Sequence, residues 1–256
     1  MMINGILGHP LKKPRSIKLW KKFFKKKGIK AKMLAFDIKP KKINSFFKMI
    51  KKNKNFRAMA VTMPYKKKVI RFLSKQDSFA KNAKAVNLIV KRKNSLLGYN
   101  TDVYGALMSI NKIIRKYSSI AIIGMGGSGQ SIFNFFFQRF RRKKFYLISS
   151  KFRFKDNRVY IFKSLNEDIL RKKLLIVNCT PIGSNLKSTF ENRSPVKSQL
   201  VSRINKKSFV FDIIYSPKKT LLSRICKKNK IKYTNGLKMN TLQADKALKI
   251  AFGKNI

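Results

Sequence analysis

An α/β architecture in two domains is predicted, with a mixed sheet in the first domain and a doubly wound parallel sheet in the second. Three observations predict it. Short β-branched apolar runs alternate with amphipathic stretches of helical spacing along most of the chain. The apolar run at 120–123 breaks into Gly124, Gly126, Gly127 and Gly129, and an apolar-rich helical segment follows at once. A length of 256 residues allows one large core or two smaller ones.

Taken in order, residues 3–7 read as a strand, 17–27 as a basic amphipathic helix, 31–37 as a strand, 43–52 as a helix and 57–61 as a third strand. Residues 85–90 and 96–99 flank a basic hairpin turn at 91–95. A helix is expected over 101–116, with Asn100 or Thr101 as its N-cap, joining the two domains. Beyond the glycines, 144–149, 159–162, 174–178 and 209–214 are strand candidates, and 237–251 returns to helical spacing.

The glycine pattern carries its own chemistry. In G-x-G-x-x-G the first glycine permits a tight turn, the second lets backbone approach a pyrophosphate, and the third lets helix pack on strand. Amide groups at the helix start then face the phosphates, and the helix dipole favours negative charge there. Gly124, Gly126, Gly127 and Gly129 stand between a strand and a helix, the context that this reading requires. A Rossmann-type, dinucleotide-binding second domain is therefore expected.

Charge is the anomaly of the composition. Against 62 Lys+Arg stand 9 Asp+Glu, a formal net charge of +53. Such a balance suggests nucleic acid, yet the cations spread over almost the whole chain with no separate basic arm, so they read as a global bias. Self-repulsion should weaken the fold most at low salt. The two cysteines, Cys179 and Cys226, are expected to be free buried thiols in a reducing cytoplasm. One histidine, His9, without a Cys/His cluster, builds no metal site. No apolar stretch approaches the roughly 18 residues of a membrane span, and the first residues read as a strand in place of a signal peptide.

Eight short blocks match one family in order. They are G-H-P-L near the start, V-T-M-P-Y-K at 61–66, A-V-N at 85–87, G-Y-N-T-D at 98–102 and G-M-G-G-S-G at 124–129, then N-C-T-P-I-G at 178–183, D-I-I-Y-S-P at 212–217 and G-L-K-M-N-T-L-Q-A at 236–244. On these the chain resembles the shikimate dehydrogenases, which interconvert 3-dehydroshikimate and shikimate with a nicotinamide cofactor. The resemblance implies a catalytic pair, Lys66 and Asp102. Chemistry asks for such a pair, because hydride delivery to a ketone leaves an alkoxide that needs a proton from a nearby acid. Taken without the V-T-x-P frame, Lys66 is one of three successive lysines and reads as a solvated run. Asp102 is one of only nine acids, and as a helix-start residue it also suits the dipole.

The resemblance further implies substrate contacts from Ser16, Thr62, Asn87, Asp102, Tyr215 and Gln243, a neutral hydrogen-bonding set suited to a polyhydroxylated ring acid. Asp212 is expected to end a strand and support structure. The chain also departs from the family pattern. Its H-S-x-S-P is here Lys13-Pro14-Arg15-Ser16-Ile17, so Pro14 replaces a carboxylate-binding serine, with Lys13 or Arg15 as a compensating charge. Ala60 stands where the family has asparagine before V-T, and Leu88 follows Asn87 in place of threonine.

Cofactor choice is expected at the end of the second strand of the nucleotide domain, roughly 20 residues past the glycines. There Ser149, Ser150, Lys151 and Arg153 occur without an acid, which favours NADP over NAD, since a cationic loop suits a 2′-phosphate. Gly236, opening the last block, is added to the cofactor-binding set. The expected domains are 1–101 plus 236–256 for substrate and 102–235 for NADP(H), with the reaction in the cleft between them. The expected protein is a cytoplasmic monomer or homodimer acting on a small molecule, without membrane, metal or nucleic-acid partner. Two alternatives stay open: a quinate-accepting or NAD-using relative, and a basic nucleic-acid-binding protein on a decayed dehydrogenase scaffold.

Overall fold

The computed structural model of the chain describes residues 1–11 and 14–253, apart from the side chain of Arg15. Two compact units emerge among the described residues, 1–104 with 243–253, and 105–242.

The first unit holds β1 (Met2–Gly8), α1 (Arg15–Lys26), β2 (Ala31–Asp37), α2 (Ile43–Lys52), β3 (Phe56–Val61), β4 (Lys75–Gln76), α3 (Ser78–Ala83), β5 (Leu88–Arg92), β6 (Ser95–Tyr99) and the start of α4 (Thr101–Ile114). Its sheet runs β2-β1-β3-β5-β6-β4. The first three strands are parallel, whereas β3, β5 and β6 pair antiparallel, which makes the sheet mixed as expected. Period-two alternation sorts the core onto two faces. Leu7, Met59 and Ile89 join Phe47 and Ile50 of α2 on one side. Ile6, Ala58, Leu88 and Val90 join Trp20 and Phe24 of α1 on the other, with Ala251 and Phe252 from the chain's last helix.

Several local expectations shift. The strand expected from residue 85 begins at Leu88, because Lys84 is left-handed at φ 51° and Val86 N donates to Lys66 O at 2.7 Å instead of to a neighbouring strand. The hairpin turn narrows to Lys93 and Asn94, with Lys93 at φ 51°. Lys91 is thereby a strand residue only 8% exposed, and its ammonium donates to the carbonyls of Lys51 at 2.5 Å and Asn53 at 3.0 Å, at the end of α2. A cation at carbonyls that lack helical partners is favourable electrostatically. Of the two cap candidates for α4, Asn100 serves: its side-chain oxygen accepts from Val103 N at 3.1 Å.

The second unit holds β7 (Ser119–Ile123), α5 (Gly127–Arg139), β8 (Lys144–Ile148), β9 (Val159–Phe162), α6 (Glu167–Leu170), β10 (Leu175–Asn178), α7 (Ser198–Val201), β11 (Phe209–Asp212), α8 (Leu221–Lys228) and β12 (Lys232–Thr234). The last helix, α9 (Leu237–Phe252), carries the chain back to the first unit. Every strand pair of this sheet is parallel, in the order β12-β11-β10-β7-β8-β9. Counted within the unit, that is the 3-2-1-4-5-6 order of a doubly wound dinucleotide-binding sheet. The two short strands β4 and β12 escape a periodicity reading, being two and three residues long. Cys179 and Cys226 are free and buried, and burial pushes the Cys226 thiol up to about 12.

Candidate active site

In the first unit the chemistry gathers where strands end and α4 begins. The loop after β3 is fixed by backbone bonds from Thr62 N to Leu7 O and from Tyr65 N to Thr62 O, both 2.9 Å. Tyr65 is fully buried and its hydroxyl donates to Ile38 O. Lys66 follows, and its ammonium lies 2.6 Å from Asp102 Oδ2 with both side chains about a quarter exposed, at 28% and 27%. Asp102 sits in the first turn of α4, where the dipole also favours its charge. The structure thus joins the two residues that the sequence separates by thirty-six positions.

A small pocket in the same unit is lined by Ser16, Trp20, Ala60, Asn87, Thr101 and Gln243, among others. Three of its polar residues form one network. Asn87 Nδ2 donates to Thr101 Oγ1 at 2.9 Å, Thr101 N donates to Asn87 Oδ1 at 2.8 Å, and the Thr101 hydroxyl reaches Gln243 Oε1 at 3.3 Å. Asn87 and Thr101 are 8% and 1% exposed, so each needs these partners. Three of the expected substrate residues, Ser16, Asn87 and Gln243, are therefore brought together. The sequence offers Thr101 only as a possible cap; its place in G-Y-N-T-D is the signal for a pocket role. Thr62 does not line this pocket, and its methyl packs where Gly8 has no Cβ. Of the departures, Ala60 lies in the pocket wall, and Pro14 precedes α1 without capping it. The compensating charges expected at Lys13 and Arg15 lie outside the described residues.

In the second unit the glycine turn follows β7 at the switch point, where the order reverses between β7 and β10. Gly124 has φ +87°, and a Cβ there would meet Thr180 Cγ2 at 2.5 Å. A Cβ on Gly129 would fall 1.9 Å from Gly124 O, so only glycine lets α5 close on the turn. Gly126 and Gly127 face open space within 4 Å, and no side chain caps α5. Backbone amides at an uncapped helix start beside open space fit a pyrophosphate.

After β8, Ser149 Oγ accepts from the amides of Lys151 at 3.3 Å and Phe152 at 3.2 Å. Ser150 and Lys151 are exposed on this turn. Arg153 folds back to donate to the carbonyls of Ser150 and Phe152 at 3.1 and 2.9 Å. Residues 149–153 therefore offer Lys151 and hydroxyls without a carboxylate, and the acid of the same loop, Asp156, is paired with Arg158. Asp212 ends β11, fully buried, and accepts from Asn178 Nδ2 (2.9 Å), Ile214 N (3.1 Å), Thr220 Oγ1 (3.2 Å) and Tyr233 OH (3.0 Å). Burial raises its pKa despite these donors. Asn178 Oδ1 in turn accepts from Thr180 N and Oγ1, which holds Thr180 against Gly124. Tyr215 lies in the loop just after this knot. Gly236 packs on Ile213, whose carbonyl oxygen would be 2.0 Å from a Cβ. Among the described residues no His/Cys/Asp/Glu group could hold a metal, and no helix is long and apolar enough to cross a membrane.

A doubly wound dinucleotide-binding unit, in a chain whose other unit carries a lysine–carboxylate pair and a polar pocket, defines a nicotinamide-type oxidoreductase. The sequence model of the shikimate dehydrogenase substrate binding domain matches residues 6–89. A curated relative, shikimate dehydrogenase (NADP(+)) of Clostridium botulinum, is 31% identical over 97% of this chain and 95% of its own. The crystal structure of shikimate dehydrogenase from Aquifex aeolicus is 28% identical, with a TM-score of 0.80 over 100% of this chain and 94% of that one. A shikimate dehydrogenase solved with NADP+ is 25% identical, with a TM-score of 0.82 over 98% and 90%. This chain belongs to the shikimate dehydrogenase family.

Proposed function

We propose that the protein catalyses the reversible, NADPH-dependent reduction of 3-dehydroshikimate to shikimate, with Lys66 as the proton donor and Asp102 as its partner. NADPH, when bound, supplies the hydride. The ammonium of Lys66 protonates the oxygen that becomes a hydroxyl, and Asp102 keeps that ammonium aimed and shares its hydrogen bonds. Ser16, Asn87 and Gln243, with Thr101, hold the ring hydroxyls and carboxylate, and Thr62, outside that pocket on the loop leading to Lys66, and Tyr215 complete the proposed substrate set. A pocket that pairs its own buried polar groups rejects analogues that leave them unpaired.

The glycines Gly124, Gly126, Gly127 and Gly129 hold the pyrophosphate, with Gly236 shaping the same unit. Ser149, Ser150 and Lys151 hold the 2′-phosphate, for which a cationic stretch without an acid is the suitable chemistry. The single observation that carries the proposal is the 2.6 Å ion pair of Lys66 and Asp102. The test is a spectrophotometric assay of shikimate-dependent NADP+ reduction, with quinate and NAD+ as competitors and a salt-titrated DNA-binding measurement beside it. Shikimate-dependent NADPH formation is the expected result. Steeply salt-sensitive DNA binding without any NADPH would overturn the proposal.

A further inference from the structure

We infer that Asp37 is a positioning residue, clamping through His9 and the Leu11 amide the segment that leads into the substrate pocket. The inference rests on the function proposed above. Asp37 is the last residue of β2 and the single acidic residue among the first 76. Its two carboxylate oxygens both engage one short segment. Oδ1 lies 2.7 Å from His9 Nδ1, and Oδ2 accepts from Leu11 N at 3.0 Å.

The same corner is tied twice more through backbone. Ile38 N donates to Gly8 O at 3.2 Å, and Ile38 O accepts the hydroxyl of Tyr65, the residue before Lys66. His9 N donates to Met63 O at 3.0 Å. Residues 8–11 are thus held between the end of β2 and the loop that presents Lys66. A few positions on, α1 brings Ser16 and Trp20 to the pocket of Asn87, Thr101 and Gln243. The backbone bonds set the path of β1, whereas the Asp37 side chain reaches past residue 9 to the amide of Leu11, whose side chain packs on the core that holds Trp20 of α1. Both contacts pull on its carboxyl, which is held below the usual carboxylate range by the Leu11 amide first and His9 second.

An exposed clamp of this kind governs how well the pocket is pre-formed, not the proton transfer itself. Its signature is a split between KM and kcat. Asp37→Ala should raise KM for shikimate about fivefold, on the scale of a lost charge-assisted hydrogen bond, while kcat and KM for NADP+ stay within about twofold. Asp37→Asn should restore most of the loss, since its carboxamide can accept from Leu11 N and donate to a neutral His9 ring. His9→Ala, which keeps the Leu11 bond, should show a smaller rise of about twofold to threefold.

A second readout does not need turnover. Trp20 is the chain's one tryptophan, is 3% exposed and lines the pocket, so its fluorescence should report shikimate binding directly. Unchanged shikimate affinity in Asp37→Ala, or in His9→Ala should the first variant not fold, would overturn the clamp. So would an Asn variant no better than Ala, or a parallel loss of NADP+ affinity and kcat. Wild type that neither reduces NADP+ nor responds at Trp20 to shikimate would overturn the functional reading and the clamp with it. Wild-type activity beside an unaffected Asp37→Ala would overturn the clamp alone.

Discussion

At the scale of single residues, Lys66 carries the sharpest expectation. Its ammonium is one of very many, and what distinguishes it is a carboxylate 2.6 Å away in a chain that has only nine acids. Lys66→Ala removes the proposed proton donor without touching Asn87, Thr101 or Gln243. Turnover should fall about 10²- to 10⁴-fold, the range for a lost general acid, with KM for shikimate little changed. Steady-state kinetics decide it, and an unaltered kcat takes Lys66 out of the mechanism.

At the scale of elements, the βα turn after β7 and the knot at the end of β11 each make a prediction. Gly129→Ala places a Cβ where Gly124 O already stands, so α5 must retreat from the turn. Overpacking against backbone costs about 2–3 kcal/mol, and NADP+ binding should weaken with it. Denaturant unfolding and a cofactor titration would measure both, and a variant with wild-type stability and affinity contradicts the close approach. The knot is a pH element. Asp212 has a raised pKa in the folded protein, so the native state holds that proton more tightly than the unfolded chain does. Its contribution is therefore fully present below the ordinary carboxyl value of 3.8 and is lost as pH rises through the raised value. The Tm difference between wild type and Asp212→Asn should consequently move against wild type from acid pH towards neutrality. A difference that stays constant with pH would show that Asp212 titrates as it does in the unfolded chain.

At the scale of the whole molecule, charge dominates. With 62 basic and nine acidic side chains, the folded surface repels itself, and ion pairs among the described residues number few. Screening shortens that repulsion to about 10 Å at 0.1 M salt. The Tm should therefore climb as sodium chloride is raised from ~10 mM to ~300 mM, a span over which the Debye length falls several-fold. A Tm that is flat or falls across this range would contradict a fold limited by its own charge. The apolar cores lie beneath this surface undisturbed: the basic residues of α1 and α2 alternate with Trp20, Phe24, Phe46, Phe47 and Ile50, which face inward.

Much of this protein was determined by its sequence alone, where the signals are local. Strand and helix periods placed β2, α2 and β9 at their observed bounds, and the glycine spacing after β7 specified a βα turn whose physics depends on neighbours in the chain. Motif order marked Lys66, Asp102, Asn87 and Gln243. Tertiary structure decided what needed distant partners. It set the start of β5 at Leu88, because Val86 N bonds to Lys66 O and Ala85 O accepts from the Asn100 side chain that caps α4. It paired the short strands β4 and β12, whose two and three residues carry too little periodicity to stand alone. It drew Thr101 into the pocket network and gave Asp37, one acid in a basic stretch, the amide and ring that it holds. A period or a motif is written along the chain, but a hydrogen-bond partner twenty-eight or a hundred and forty-two residues away exists only once the sheet has brought it near.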